Sequence, residues 1–125
     1  MENLNNYNPT FLKEKLIVKE NKFNEEEFNI LFKELKNFLL IKSMFPTKKV
    51  YMINKKIYLL WHEFILYTKE YTNFCNLFFR SYIHHSPNNW SKLNQEGKET
   101  SENFFELYQK VFGEIPNGEV WVFDN

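Results

Sequence analysis

A chain of 125 residues, 43% hydrophobic and 26% charged, is most simply one domain, large enough to bury a real core. Sixteen basic residues balance sixteen acidic ones, so the chain as a whole is neither a nucleic-acid binder nor a ligand for anionic membranes. One cysteine rules out an internal disulfide, MENLNNYNPT lacks the build of a signal peptide, and FLLI and IYLLW are too short to span a bilayer.

These features read as a cytoplasmic protein with no membrane association. Aromatic residues make up 19%, with 14 Phe and 7 Tyr, there is no alanine, and Arg80 is the single arginine. The abundance of Lys, Asn, Phe and Ile looks like an AT-rich coding bias and carries little functional meaning. It has a physical consequence all the same, because each ring buries a large area and few residues can then close a core.

Met1 to Asn8 is polar and Asn-rich, and is expected to be an irregular lead-in. Pro9-Thr10 opens a short helix with Phe11, Leu12, Lys15 and Leu16 at helical spacing, although Leu16-Ile17-Val18 is β-prone. Asn24 followed by Glu25, Glu26 and Glu27 is a helix start, a capping side chain and then acids that complement the dipole. Phe28, Leu31, Phe32, Leu35, Phe38 and Leu39 repeat at three and four, which predicts an amphipathic helix ending near Ser43, ahead of Pro46. PTKKVYMINKK is a connection in which VYMI either pairs briefly as a strand or leads into the next helix.

From Ile57 to Tyr67 the chain is apolar nearly all round, the pattern of a central helix buried by its neighbours. TKEYTN kinks that helix or separates it from another, on which Tyr71, Phe74, Cys75, Phe78 and Tyr82 recur at three and four until Pro87 and the asparagines stop it. NWSKLNQEGKE reads as a loop turning at Gly97. Thr100 or Ser101 caps a last helix with Phe104, Phe105, Leu107, Tyr108, Val111 and Phe112, and Gly113 stops it. EVWVFDN is a packed tail or one short strand. The expected fold is therefore all-α: a single domain over residues 1–125, with four to five helices and an aromatic-rich core.

All three histidines and the cysteine fall between Trp61 and His85. His62 shares a helical face with Tyr58, Leu59, Ile65 and Leu66, which predicts a buried or half-buried imidazole that needs partners. Cys75 lies on the apolar stripe of the next helix, and His84 and His85 close that helix, where their charge suits the dipole. As a metal site, His62, Cys75, His84 and His85 would offer four nitrogen and sulfur ligands to zinc or another divalent cation. No CxxC, HxxxH or HExxH spacing accompanies them, and only a break between Thr68 and Thr72 would bring His62 and Cys75 together. A Cys/His nucleophilic pair lacks a glycine-rich oxyanion loop. Ahead of both stands plain packing, with Cys75 a core hydrophobe and His62 hydrogen-bonded.

The stretch LLWHEFILYTKEYTNFCNLFFRSYIHHSP resembles a segment of the glycine-rich domain-containing protein-like family, a widespread group of largely uncharacterised helical domains. The matching positions are Trp61-His62, Ile65 to Thr68, Tyr71, Phe74-Cys75 and His84-His85-Ser86-Pro87, within about residues 57–87. Tyr58 stands where that family has an aspartate, and Arg80 stands near its glycine. The resemblance implies an all-helical fold and no particular activity.

Charge is uneven along the chain. Lys42 to Lys56 holds five lysines and no acid, while Glu96 to Asn125 carries a net charge of −5. Lys48, Lys49, Tyr51, Lys55 and Lys56 are thus a candidate binding surface, though on a neutral chain without other arginines nucleic acid is a poor fit. The expected function is a small binding module with a protein partner, of the inhibitor or immunity type, a reading set ahead of an enzyme. The alternative is a metal-dependent or Cys/His enzyme built on His62, Cys75, His84 and His85.

Overall fold

In the computed structural model, which describes residues 3–47, 50, 54–84 and 104–116, every regular element is helical, as expected. Asn3 accepts a bond from the Asn5 amide and opens a 3-10 turn over Leu4–Asn6, so the polar lead-in takes up a defined conformation. Helix α1, Thr10–Lys13, continues directly into a π-helical stretch, Glu14–Lys19, closed by Glu20 N–H on the Lys15 carbonyl at 2.9 Å. The β-prone Leu16-Ile17-Val18 therefore sits in a widened helical turn, with Leu12 and Leu16 fully buried.

Helix α2, Glu25–Met44, starts where its acidic first turn predicts: Asn24 Oδ1 accepts from Glu27 N–H at 2.7 Å. Helix α3, Lys55–Leu66, has the same cap from Asn54 to Ile57 N–H at 2.9 Å. Each such cap stabilises its helix by about 1 kcal/mol. Tyr67, at φ −86° and ψ 70°, breaks the chain between α3 and helix α4, Thr68–Phe79. A last helix, α5, covers 104–112 and stops at Gly113, whose φ of 72° and bond to the Gln109 carbonyl form the expected glycine terminus. No helix among the described residues is long and apolar enough to cross a membrane.

Helix α4 ends earlier than its periodicity predicts. Arg80 adopts the left-handed conformation at φ 60°, and the chain then folds back so that Ile83 is buried and its carbonyl accepts from the Tyr71 hydroxyl at 2.7 Å. His84 consequently follows a turn and does not close the helix. The VYMI residues 51–53, the Gly97 loop, the Thr100 or Ser101 cap and the EVWVFDN strand lie outside the described residues.

Helix α2 packs on α3, and α3 on α4. Phe64 of α3 is the hub, with ring centroids of Phe32 at 5.8 Å, Tyr71 at 5.1 Å, Phe74 at 5.2 Å, Phe11 at 6.0 Å and Tyr7 at 6.3 Å. Pairs of this kind add about 0.5–1.5 kcal/mol beyond area burial, which offsets the lack of small core residues. Helix α5 joins through Phe104 against Phe38 and through a buried polar cluster: Asn37 Nδ2 donates to the Tyr108 hydroxyl at 3.1 Å, which donates to Glu34 at 3.0 Å. Burial and then the Glu34 charge push the Tyr108 phenol up to about 12.

The expectation that α3 is covered all round is corrected on one side. Ile57, Leu60, Trp61 and Phe64 are buried, but Leu59, His62 and Leu66 are exposed. These three fall at i, i+3 and i+7, one face turned away from α2 and α4.

Candidate functional site

The three described His/Cys positions do not share an environment. Cys75 is completely buried, and burial pushes its thiol up, only partly offset by bonds to the Ile83 backbone and the Tyr71 hydroxyl. A thiol held in its neutral form is neither nucleophile nor metal ligand until it ionises. The same hydroxyl accepts from the Trp61 indole at 3.0 Å, so Trp61, Tyr71, Cys75 and Ile83 form one buried knot. His62 is exposed, next to the buried Glu63 on α3. His84 is exposed with its ring 4.7 Å from Tyr82, and His85 lies outside the described residues. Among the described residues, no three His, Cys, Asp or Glu side chains gather as a metal would need.

Of the lysine-block candidates, Lys48, Lys49 and Tyr51 lie outside the described residues. Lys55 and Lys56 are exposed on the first turn of α3, and Lys56 pairs with Glu27 at 3.0 Å.

A better site lies where spacing alone does not point. The 3-10 turn and Tyr7 form one wall of a cleft of about 480 Å³, and α2 forms the other. Tyr7 anchors that wall, its ring set 4.7 Å from Phe74 and 5.8 Å from Phe78. Asn29, Lys33 and Lys36 line the α2 side at i, i+4 and i+7, and Lys13 enters from the end of α1. Phe28 and Phe32 make the floor, with the Lys13 ammonium 5.9 Å over the first ring and the Lys36 ammonium 5.4 Å over the second. Asn5, Asn6 and Asn8 supply the remaining polar edge.

Lys36 is the unusual member. It is only 5% exposed, and its Nζ donates to the carbonyls of Leu4 and Asn5 at 3.2 and 3.3 Å. Burial first, and then the charges of Lys13 and Lys33, push its pKa down. Among the described residues, no carboxylate lies within ion-pair distance of Lys13, Lys33 or Lys36. The cleft is therefore a positive pocket whose charge the described chain leaves unbalanced.

A second cleft, between the π-helical stretch and Tyr67, is its opposite. It holds Glu14, Lys15, Lys19 and Glu20, and these already pair: Lys19 with Glu14 at 3.7 Å and Lys15 with Glu20 at 3.9 Å. Lys15 also bonds the buried Glu63 at 2.7 Å, with Lys22 at 3.7 Å from the same carboxylate. That network clamps the N-terminal helix to α3. Burial alone would raise the Glu63 pKa, but the Lys15 bond and the neighbouring charges outweigh it and hold it below its ordinary value.

Sequence reading missed the first cleft, though α2 does carry a signal. Neither Lys33 nor Lys36 has an acid three or four residues away, and Lys36 sits on the apolar side beside Phe32 and Leu39.

No curated protein and no solved structure matches the chain. A family model does match, over residues 2–110, and it is not that of the glycine-rich domain-containing family. This corrects the resemblance drawn on Trp61-His62, Phe74-Cys75 and His84-His85. Of those positions, Trp61, Tyr71, Phe74 and Cys75 are buried in the core between α3 and α4. With a match that spans well over half of its length, the chain belongs to the UCP032817-like family.

Proposed function

We propose that the protein is a small non-catalytic binding module that takes an acidic group of its ligand into the cleft between residues 3–9 and α2. The observation that supports this reading is the convergence of Lys13, Lys33 and Lys36 on one cleft with no carboxylate among the described residues to balance them. A bound anion would offset the burial, and then the Lys13 and Lys33 charges, that already depress Lys36, and would accept from the asparagine amides at the rim. The expectation of a protein partner fits the same site if that partner inserts an acidic side chain or a modified one.

The enzyme alternative has less support. Its nucleophile, Cys75, is buried in neutral form, and His62 is on the exposed face of α3. The test is thermal unfolding at low salt with a panel of small anions. A ligand present at about 100 times its Kd adds about 2.7 kcal/mol to stability. The expected result is a rise in Tm with at least one multivalent anion that disappears in a Lys13→Gln, Lys33→Gln double variant. An equal rise in that variant would place the binding elsewhere.

A further inference from the structure

Resting on that reading, we infer that the ligand of the lysine cleft is a small soluble phosphate monoester, held by Lys13, Lys33 and Lys36 with the asparagine amides of the rim. Charge, geometry and size each point there.

The first is charge. Three ammonium groups from two helices face one cavity, and a monocarboxylate would neutralise one of them. A phosphate monoester carries about −1.5 to −2 at neutral pH and matches the excess better.

The second is geometry. Arginine presents a planar fork suited to a carboxylate, whereas lysine is a point charge. The cleft has lysines alone, approaching from the end of α1 and from two turns of α2. A tetrahedral group with three terminal oxygens can meet three separate point donors, while a planar carboxylate offers two oxygens in one plane. Lys36 is the fixed member, its Nζ already tied to the carbonyls of Leu4 and Asn5, with Lys33 one turn earlier on α2 and Lys13 across from them.

The third is size and surroundings. A volume of about 480 Å³ falls within the range of small-molecule sites. Phe28 and Phe32 are buried with the Lys13 and Lys36 ammonium groups over their rings, and the third ring of the lining, Tyr7, is packed against Phe32, Phe64, Phe74 and Phe78, so the rings of the cleft are already engaged. The polar rim of Asn5, Asn6, Asn8 and Asn29 instead suits the hydroxyl groups of a short polyol or sugar carrying the phosphate.

The experiment is isothermal titration of the full chain at low ionic strength with glycerol 3-phosphate, inorganic phosphate and succinate, alongside flotation with vesicles containing phosphatidic acid. Glycerol 3-phosphate is expected to bind one to one and about tenfold more tightly than succinate. Lys13→Gln and Lys33→Gln should each weaken it at least about fivefold while leaving the circular dichroism spectrum unchanged. Affinity should also fall as the pH drops through about 6, where the phosphate loses its second charge. Equal affinity for succinate overturns the phosphate assignment and leaves an acid-binding module standing. Binding to vesicles without binding to glycerol 3-phosphate overturns the soluble ligand. No binding of any probe at about 10 mM overturns both this inference and the function on which it rests.

Discussion

Removing one oxygen atom from the core should be among the most costly small changes in this protein. Tyr71 has no exposed surface, and its hydroxyl accepts from the Trp61 indole at 3.0 Å and donates to the Ile83 carbonyl at 2.7 Å. Tyr71→Phe keeps the ring and its edge contact with Phe64, so packing changes little. It leaves an indole N–H and a peptide carbonyl without the partner each has now. Leaving a buried polar group unpaired costs about 1–3 kcal/mol, so the two together should cost about 3 kcal/mol after some relaxation. In urea, where m is about 1–3 kcal/mol/M, that is a fall in midpoint of about 1.5 M.

Trp61→Phe removes the donor instead of leaving it stranded. In a double-mutant cycle the pair Trp61→Phe, Tyr71→Phe should therefore be less destabilised than the sum of the single changes, by about 1 kcal/mol. A Tyr71→Phe variant within about 0.5 kcal/mol of the parent would refute the reasoning, as would strict additivity of the two changes.

Glu63 predicts a pH dependence: its folded pKa lies below the ordinary 4.5, so its contribution is present above that value and is lost as pH falls through the folded one. The stability gap between the parent and Glu63→Gln should accordingly close between about pH 5 and pH 3 in urea titrations, and a gap that does not change with pH would count against the Lys15 pairing. Cys75 should react with a thiol reagent only on unfolding, and a chelator should leave the unfolding midpoint where it is; rapid labelling of the native protein would contradict the burial of its thiol. Arg80→Gly should stabilise by about 0.5–1 kcal/mol, because Arg80 ends α4 at φ 60° where glycine carries no steric penalty, and a loss of stability would mean its side chain contributes more than the backbone costs. Lys36→Met should leave the global midpoint nearly unchanged yet speed amide exchange at Asn6 and Tyr7, since the Lys36 ammonium ties down the Leu4 and Asn5 carbonyls.

The limits of α2 were legible because its determinants are local. Asn24 caps a residue three positions on, the acids that follow sit in the same turn, and Phe28 to Leu39 repeat along one face. Gly113 likewise ends α5 by its own backbone freedom, as its φ of 72° shows. Periodicity also identified Trp61, Tyr71, Phe74 and Cys75 as core.

Other features depend on groups distant in the chain, and these only the tertiary structure decided. Nothing near Arg80 requires α4 to stop there; the stop is stabilised by the Tyr71 hydroxyl meeting the Ile83 carbonyl after the chain has folded back. The apolar composition of α3 concealed which face is open, because α2 and α4 choose the side they cover, and His62 was left on the other. The lysine cleft is the clearest instance. Lys13 and Lys36 are 23 positions apart in the chain, and it is the insertion of Tyr7 among Phe32, Phe64, Phe74 and Phe78 that brings the N-terminal turn over α2 and sets their charges against each other. Caps and helical repeats act over one or two turns and can be read along the chain, whereas a cavity and its field exist only once separate helices share a core.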